Sequence, residues 1–105
     1  MVDLGDIIKQ LRKKYPKCRI VSCADYGEFY DYYLPTKRWD GNPWEAPAWS
    51  VEIRKSDGAE IGHDSTELLD MKWTPVDLTP FLTDEEIAFI KKVKILEEEA
   101  MSAAQ

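Results

Sequence analysis

Residues 49–63 read WSVEIRKSDGAEIGH, and this stretch decides the fold. Trp49, Val51 and Ile53 alternate with polar residues, which is the pattern of a strand that buries one face. Ser56-Asp57-Gly58 then turns the chain, because these residue types favour tight turns. The sequence therefore predicts an antiparallel hairpin with strands at 48–55 and 59–63.

The length of this turn sets the hairpin's register. If Gly58 is the left-handed residue of a three-residue turn, Ile53 faces Ile61 and Arg54 pairs with Glu60. A two-residue turn would instead put Ile61 beside Arg54. We expect the first register, because it keeps the apolar face intact.

Another hairpin precedes this one. Its strands, at 19–24 and 28–34, are rich in β-branched and aromatic residues. A three-residue loop would place Cys23 opposite Phe29, whereas a two-residue loop would place Val21 and Cys23 beside Tyr30 and Tyr32. The shorter loop requires positive φ at Tyr26. The sequence leaves both registers open.

Two amphipathic helices flank the hairpins. The first is predicted at residues 4–14, with Asp3 as N-cap and Pro16 as the stop. The second is predicted at 84–100, opened by a capping box of Thr83 and Glu86. Its apolar stripe consists of Phe89, Val93, Leu96 and Ala100.

The last helix has an unusual charge order. Its lysines lie at 91, 92 and 94, and its glutamates at 97–99, near the C-terminal end. A helix dipole favours cations at that end, so we expect the end to fray.

These elements predict one α+β domain over residues 1–105, since 105 residues suit a single core. We expect an antiparallel β-meander of about four strands in the order 1-2-3-4, with the N-terminal and C-terminal helices packed on one face. The loop 35–48 is long enough to permit another strand order. Residues 65–71 suit a short helical turn capped by Ser65, and 74–80 a connector.

Charge and cysteine content suggest a compartment. The net charge is −6, and no basic leader or long apolar run is visible. Cys18 and Cys23 would lie about 16 Å apart on one strand, too far for a disulfide. We therefore expect a cytoplasmic protein with both thiols reduced and no contact with a membrane.

Nucleic-acid binding is disfavoured by the acidity. Residues 1–54 hold nine basic and eight acidic residues, and residues 55–105 hold five and twelve. A separate basic patch could still form from Lys9, Arg12, Lys13, Lys14, Lys17 and Arg19.

No common catalytic signature occurs, and we expect neither metal nor cofactor. A zinc site would need His63 and Asp64 with distant ligands, at no recognised spacing. A thiol enzyme would need Cys23 or Cys18 beside His63, although buried cysteine is more often structural. Acidic residues at the first turn, namely Asp25, Glu28 and Asp31, suit a solvated turn better than acid–base catalysis.

Twelve aromatic residues are the unusual part of the composition. They could form the second half of the core. In that case the loop 35–48, which carries Trp39 and Trp44 and is called the tryptophan loop below, would fold back as a lid. They could instead form an exposed surface, because tryptophan, tyrosine and arginine are typical of interface hot spots. The candidate surface residues are Lys37, Arg38, Trp39, Trp44, Trp49, Tyr30 and Tyr32.

We favour a non-enzymatic cytoplasmic protein-interaction module of unknown pathway that binds a protein partner or self-associates as a homodimer. The alternatives are a small enzyme and a nucleic-acid-related protein, with either an aromatic stacking surface or an acidic surface that mimics DNA. The chain resembles small bacterial or prophage-encoded proteins in general character, but no motif identifies a family.

Overall fold

Five antiparallel strands form one sheet in the computed structural model, which describes residues 2–47, 49–62 and 65–103. The strands are β1 (Ser22–Asp25), β2 (Phe29–Tyr33), β3 (Ser50–Arg54), β4 (Glu60–Ile61) and β5 (Thr74–Pro75). Their spatial order is β4-β3-β2-β1-β5. The first four strands form the expected meander, and β5 adds a fifth strand from a segment expected to be a connector.

Three α-helices accompany the sheet: α1 (Leu4–Lys14), α2 (Ser65–Asp70) and α3 (Asp84–Ala103). Short 3₁₀ helices occupy Pro43–Glu45 and Thr79–Phe81. The single-domain α+β class is therefore confirmed. Among the described helices, none combines the length and the apolar character needed to cross a bilayer.

Both long helices begin where the sequence predicts. The Asp3 carboxylate accepts a hydrogen bond from the Gly5 N–H, and α1 has the predicted bounds. At α3, the Glu86 N–H donates to Thr83 Oγ1 at 3.2 Å and the Thr83 N–H donates to Glu86 Oε1 at 3.0 Å. This reciprocal pair is the expected capping box. The predicted cap at Ser65 lies outside the described side chains.

The first hairpin has a two-residue turn, which is one of the two expected lengths, but the turn lies one residue later than predicted. Cys23 lies opposite Tyr32. Pairing continues to Tyr26, whose N–H donates to the Phe29 carbonyl at 3.0 Å, so the turn is two residues long and begins at Gly27. Gly27 has φ +96°, which suits the first central position of a type II′ turn, and Tyr26 needs no positive φ. The glycine thus sets the register.

A β-bulge shortens β1 relative to the predicted strand. Ser22 lies opposite Tyr33, yet the Val21 N–H also donates to the Tyr33 carbonyl, at 3.0 Å. Beyond this point, pairing resumes one residue out of register, with Cys18 opposite Thr36. Two residues facing one partner residue is the definition of a bulge.

The second hairpin has a longer turn than predicted. Ile53 lies opposite Glu60, not Ile61, so four residues separate the paired positions Arg54 and Ala59. Gly58 is left-handed, with φ +72°, but it is the fourth turn residue. The predicted Arg54–Glu60 pair is therefore wrong.

A side chain within the turn accounts for this length. The Asp57 carboxylate accepts hydrogen bonds from the Arg54 guanidinium at 2.6 and 2.9 Å and from the Ala59 N–H at 3.1 Å. These bonds stabilise the four-residue turn. The predicted register would also place Val51 opposite His63, which lies outside the described residues.

One face of the sheet packs against α1. Cys23, Tyr32 and Val51 project from this face towards α1 and are buried. The helix contributes Ile7, Ile8 and Leu11 to the same core.

The other face is covered near Tyr33 by the tryptophan loop and α3. The Trp39 ring lies 6.0 Å from the Tyr33 ring and 5.7 Å from the Phe89 ring of α3. Both helices were expected on one face, but α3 reaches the opposite face through Trp39. Because β2 carries rings on both of its faces, both faces need a cover.

Candidate protein-interaction surface

Residues 35–47 form an ordered loop that is held against the domain. The Tyr33 hydroxyl donates to the Pro47 carbonyl at 2.6 Å. The Arg19 guanidinium donates to the Lys37 carbonyl at 2.8 Å and stacks on Phe89, with its central carbon 4.2 Å from the ring centroid. A guanidinium over an aromatic face is a favourable cation–π contact. The loop is therefore fixed at both ends.

Trp39 anchors this loop from within. Its ring is half-buried between Tyr33 and Phe89, and its indole N–H donates to the Asn42 carbonyl at 3.0 Å. An indole with a satisfied N–H and two aromatic neighbours is a packing residue. Trp39 therefore belongs mainly to the lid.

Gly41 brings the loop against α3. The residue is buried with φ +97°, and a Cβ there would lie 3.3 Å from side-chain atoms of Leu96 and Val93. Only glycine combines this backbone conformation with so close an approach.

Trp44 has the opposite character to Trp39. Its backbone N–H donates to Asn42 Oδ1 at 3.0 Å, and Pro43 precedes it in the 3₁₀ helix. The backbone is thus fixed, yet the side chain is 73% exposed. A large apolar ring held out to solvent on an ordered backbone is suited to binding.

A groove runs beside this ring, between the 3₁₀ helix and the last turns of α3. Two adjoining cavities of about 460 and 320 Å³ share Trp44 as a wall. We name this surface the Trp44 groove, with Pro43, Trp44, Leu96, Ala100 and Met101 as its apolar lining.

The rim of the Trp44 groove is mainly acidic. Asp40, Glu97 and Glu99 contribute carboxylates, and Lys92 contributes one ammonium group. An apolar floor with an acidic rim favours a ligand that carries an apolar side chain and neighbouring positive charge.

Two of the predicted surface residues lie in or against the core. Tyr32 is 0% exposed, so it is not a surface residue. Tyr30 is half-buried, 6.1 Å from the Tyr32 ring and 4.8 Å from the Lys55 ammonium. Both side chains share the face of β2 that packs against α1, which is why the surface prediction is wrong for Tyr32 and unsupported for Tyr30.

Three other predicted residues, Trp49, Lys37 and Arg38, do not line the groove. Trp49 is 38% exposed and packs edge-on against Tyr15, with centroids 5.1 Å apart. Lys37 and Arg38 are exposed beside a different cavity, next to Pro16. The structure thus separates the predicted set into several regions and places only Trp44 in the groove.

The contribution of α3 to this groove is not predicted from the sequence. Leu96 and Ala100 were assigned to the core stripe, but they are only half-buried, whereas Phe89 and Val93 are buried.

Three of the six basic residues of the N-terminal region form ion pairs. Arg12 contacts Glu86, Lys14 contacts Glu60, and Arg19 has a more distant contact to Glu85 at 3.7 Å. Carboxylates therefore offset half of the positive charge of this stretch, which weakens its attraction for phosphate.

Both cysteines are free, but the environment of Cys23 opposes reactivity. Burial raises the pKa of Cys23 to about 12, because the thiolate would lie in the apolar core. The neighbouring Tyr32 hydroxyl acts in the opposite direction and lowers the pKa of this thiol. The same hydroxyl has no partner with hydrogen-bond geometry among the described residues. Burial also raises the pKa of Cys18. Cys23 is thus a packing residue.

One of the carboxylates at the first turn, that of Asp25, has structural partners. The Lys55 ammonium lies 2.7 Å from Asp25, and with the Gly27 N–H it lowers the pKa of that carboxyl. No cluster of three or more metal-ligating side chains occurs among the described residues. The zinc and thiol candidates His63 and Asp64 lie outside those residues.

Comparison with protein families, curated proteins and solved structures finds nothing that matches this chain.

Proposed function

We propose that this chain is a non-enzymatic, cytoplasmic protein-interaction module that binds its partner through the Trp44 groove. The observation that carries the proposal is the 73% exposure of Trp44 on a backbone fixed by Asn42. Because the backbone of Trp44 is already ordered, covering its ring costs little backbone conformational entropy, and the apolar area contributes efficiently to affinity.

The partner is a protein segment with a bulky apolar residue flanked by lysine or arginine. The apolar residue would lie between Trp44 and Ala100, where the two cavities adjoin. The flanking cations would meet the carboxylates of Asp40, Glu97 and Glu99. A cytoplasmic setting is consistent with the two free cysteines.

A displayed library of random dodecapeptides tests this proposal. Selection on the wild-type protein, with counter-selection on Trp44→Ala, is expected to enrich peptides with an apolar residue next to lysine or arginine. Affinities of the enriched peptides are expected to fall by about tenfold or more for Trp44→Ala, because hot-spot aromatics carry much of the binding energy. Ala100→Glu, which would fill the groove, should have the same effect.

The matched control is Trp73→Ala. Trp73 is also well exposed, at 55%, but it does not line the groove. Peptides that bind Trp44→Ala as well as the wild type, or whose affinity falls equally for Trp73→Ala, would contradict the proposal. Failure to enrich any peptide would also count against it.

A further inference from the structure

The outward face of α3 carries an exposed isoleucine at its centre. Ile95 is 57% exposed and lies on the side of the helix opposite Val93 and Phe89, which are buried. Lys91 and Lys92 lie one turn before Ile95 on this face. Glu98 and Glu99 lie one turn after it, and all four charged residues are exposed.

Three of these charges have no partner on their own helix. Lys91 and Lys92 have no acidic residue three or four positions away, and Glu99 has no basic residue at those spacings. Among the residues that the structure describes, no ion pair involves any of the three. A solvated helix is better stabilised when such charges are paired at i, i+4.

We propose that this face binds a second copy of the chain, with the two α3 helices antiparallel and the twofold axis at Ile95. The residues at equal distances on either side of Ile95 are then opposite each other. Lys91 of one copy meets Glu99 of the other, and Lys92 meets Glu98. Because the interface is twofold symmetric, each pair occurs twice, and the two Ile95 side chains cover each other at the centre.

Only the antiparallel orientation satisfies the charges. In a parallel pair, Lys91 would lie beside the same lysine of the other copy, and like charges directly opposite are destabilising. The next residues outward, Ala88 and Ser102, are also opposite each other in the antiparallel pair. Both are small and allow the helix axes to approach.

The pairing also accounts for the glutamates near the C-terminal end of α3. Within a single chain the helix dipole disfavours anions there. In the antiparallel pair, this half of the helix lies beside the N-terminal half of the other copy, where the dipole and Lys91 are positive. The arrangement that is unfavourable in one chain is therefore favourable in two.

This inference goes beyond the proposed function, because the outward face of α3 and the Trp44 groove are different surfaces that share only Lys92 and Glu99 at their margin. One helix against one helix buries less area than a typical stable dimer. We therefore expect a concentration-dependent equilibrium, measurable from about 10 µM to about 1 mM.

Analytical ultracentrifugation with charge reversal tests the pairing. The double variants Lys91→Glu/Lys92→Glu and Glu98→Lys/Glu99→Lys each place like charges opposite one another in the homodimer. Each is expected to weaken the dimer by about tenfold or more. An equal mixture of the two variants is expected to restore association, because every facing pair is then opposite in charge.

Three controls make the outcome unambiguous. Lys9→Glu/Lys13→Glu applies the same change in net charge as Lys91→Glu/Lys92→Glu, but to exposed residues of α1. This variant should leave the dimer unchanged. Circular dichroism establishes that each variant is folded. Trp44→Ala should dimerise like the wild type, so failure of the groove proposal and failure of this one are distinguishable.

Several results would overturn the antiparallel pairing. These are a wild-type chain that stays monomeric over the whole concentration range, charge-reversal variants that dimerise normally, and a mixture that associates no better than its components. A dimer that strengthens as salt is added would also contradict it, because ion pairs are screened by salt.

Discussion

A single carboxylate oxygen of Glu86 both caps its own helix and binds Arg12 of the N-terminal helix. Glu86 Oε1 accepts the Thr83 N–H at 3.0 Å and the Arg12 guanidinium at 2.5 Å. Arg12 also donates to the Phe81 carbonyl at 3.0 Å. A side chain predicted to act only within its own helix thus also joins α3 to α1, through two residues that are 74 positions apart along the chain.

Removing the charge of Glu86 should destabilise the protein. Glu86→Gln can still accept the Thr83 N–H, so the variant isolates the interaction with Arg12. We expect a loss of about 1 kcal/mol in the free energy of unfolding, measured by urea titration, because solvent screening at the partly exposed Arg12 reduces the roughly 1.5–3 kcal/mol of a hydrogen bond to a charged group. Glu85→Gln is the control, because Glu85 is exposed and its ion pair with Arg19 is long, at 3.7 Å. Equal losses for both variants would contradict the role given to Glu86.

The stabilisation by Glu86 should depend on pH. Burial raises the pKa of this carboxyl, but the Thr83 N–H and the Arg12 guanidinium outweigh burial and hold the pKa below its usual range. A lowered folded-state pKa contributes stability above the unfolded-state value, and this contribution is lost as pH falls through the folded-state pKa. The difference between wild type and Glu86→Gln should therefore be constant above about pH 5 and shrink below about pH 4. A difference that grows on acidification would show that the sign is wrong.

Two tryptophans of the same loop should respond differently to truncation. Trp39→Ala removes a ring packed between Tyr33 and Phe89, and we expect a loss of about 2–4 kcal/mol. Trp44→Ala removes an exposed ring and should change the free energy of unfolding by less than about 0.5 kcal/mol. Thermal or urea unfolding of the pair checks this. A large loss for Trp44→Ala would assign this ring to the core.

Two left-handed glycines also form a matched pair. Gly27 has open space around it, so Gly27→Ala should cost about 1 kcal/mol from backbone strain alone. Gly41→Ala adds a Cβ within 3.3 Å of Leu96 and Val93, so its loss should exceed that of Gly27→Ala by about 1 kcal/mol or more. Equal losses in urea unfolding would mean that the loop moves away from α3 at little cost.

Thiol labelling should distinguish the two cysteines. With a pKa of about 12, Cys23 has a thiolate fraction at pH 8 about a thousandfold below that of an ordinary cysteine. Half-buried Cys18 should react with Ellman's reagent in the native state, while the Cys18→Ser variant should react only on unfolding. Rapid labelling of native Cys18→Ser would show that Cys23 is accessible.

Local signals predicted the helix starts well, whereas α3 continues to Ala103, beyond the predicted end at residue 100 where fraying was expected. The capping residues Asp3 and Thr83 act within one turn of chain, and they mark helix starts without reference to any distant contact. The meander order followed from hairpins between strands that are neighbours in sequence.

Register was harder to predict, because it depends on which residues the turn includes. Gly27 has positive φ as expected, but as the first residue of its turn and not the last. In the second hairpin, the Asp57 carboxylate extends the turn by binding Arg54 and the Ala59 N–H. Such competition between side-chain and strand hydrogen bonds is not visible in an apolar pattern.

Only part of the candidate surface could be found from composition. Trp44 was included correctly as an exposed ring, whereas Tyr32 is buried. Both are aromatic residues with other aromatic residues nearby in the sequence. Whether each ring is buried or exposed depends on its contacts with the distant elements α1 and α3. Tertiary contacts, not residue type, decide which ring meets solvent.

The two outer strands of the sheet, β4 and β5, are each two residues long, and Pro75 in β5 has no N–H to donate. Long, flat edges recruit strands from other molecules and lead to fibrils, so short edges and proline protect a sheet against such growth. In this protein the sheet offers little template for extension at either end. The proposed assembly through α3 and the Trp44 groove would therefore stay finite, even at concentrations at which exposed strand edges aggregate.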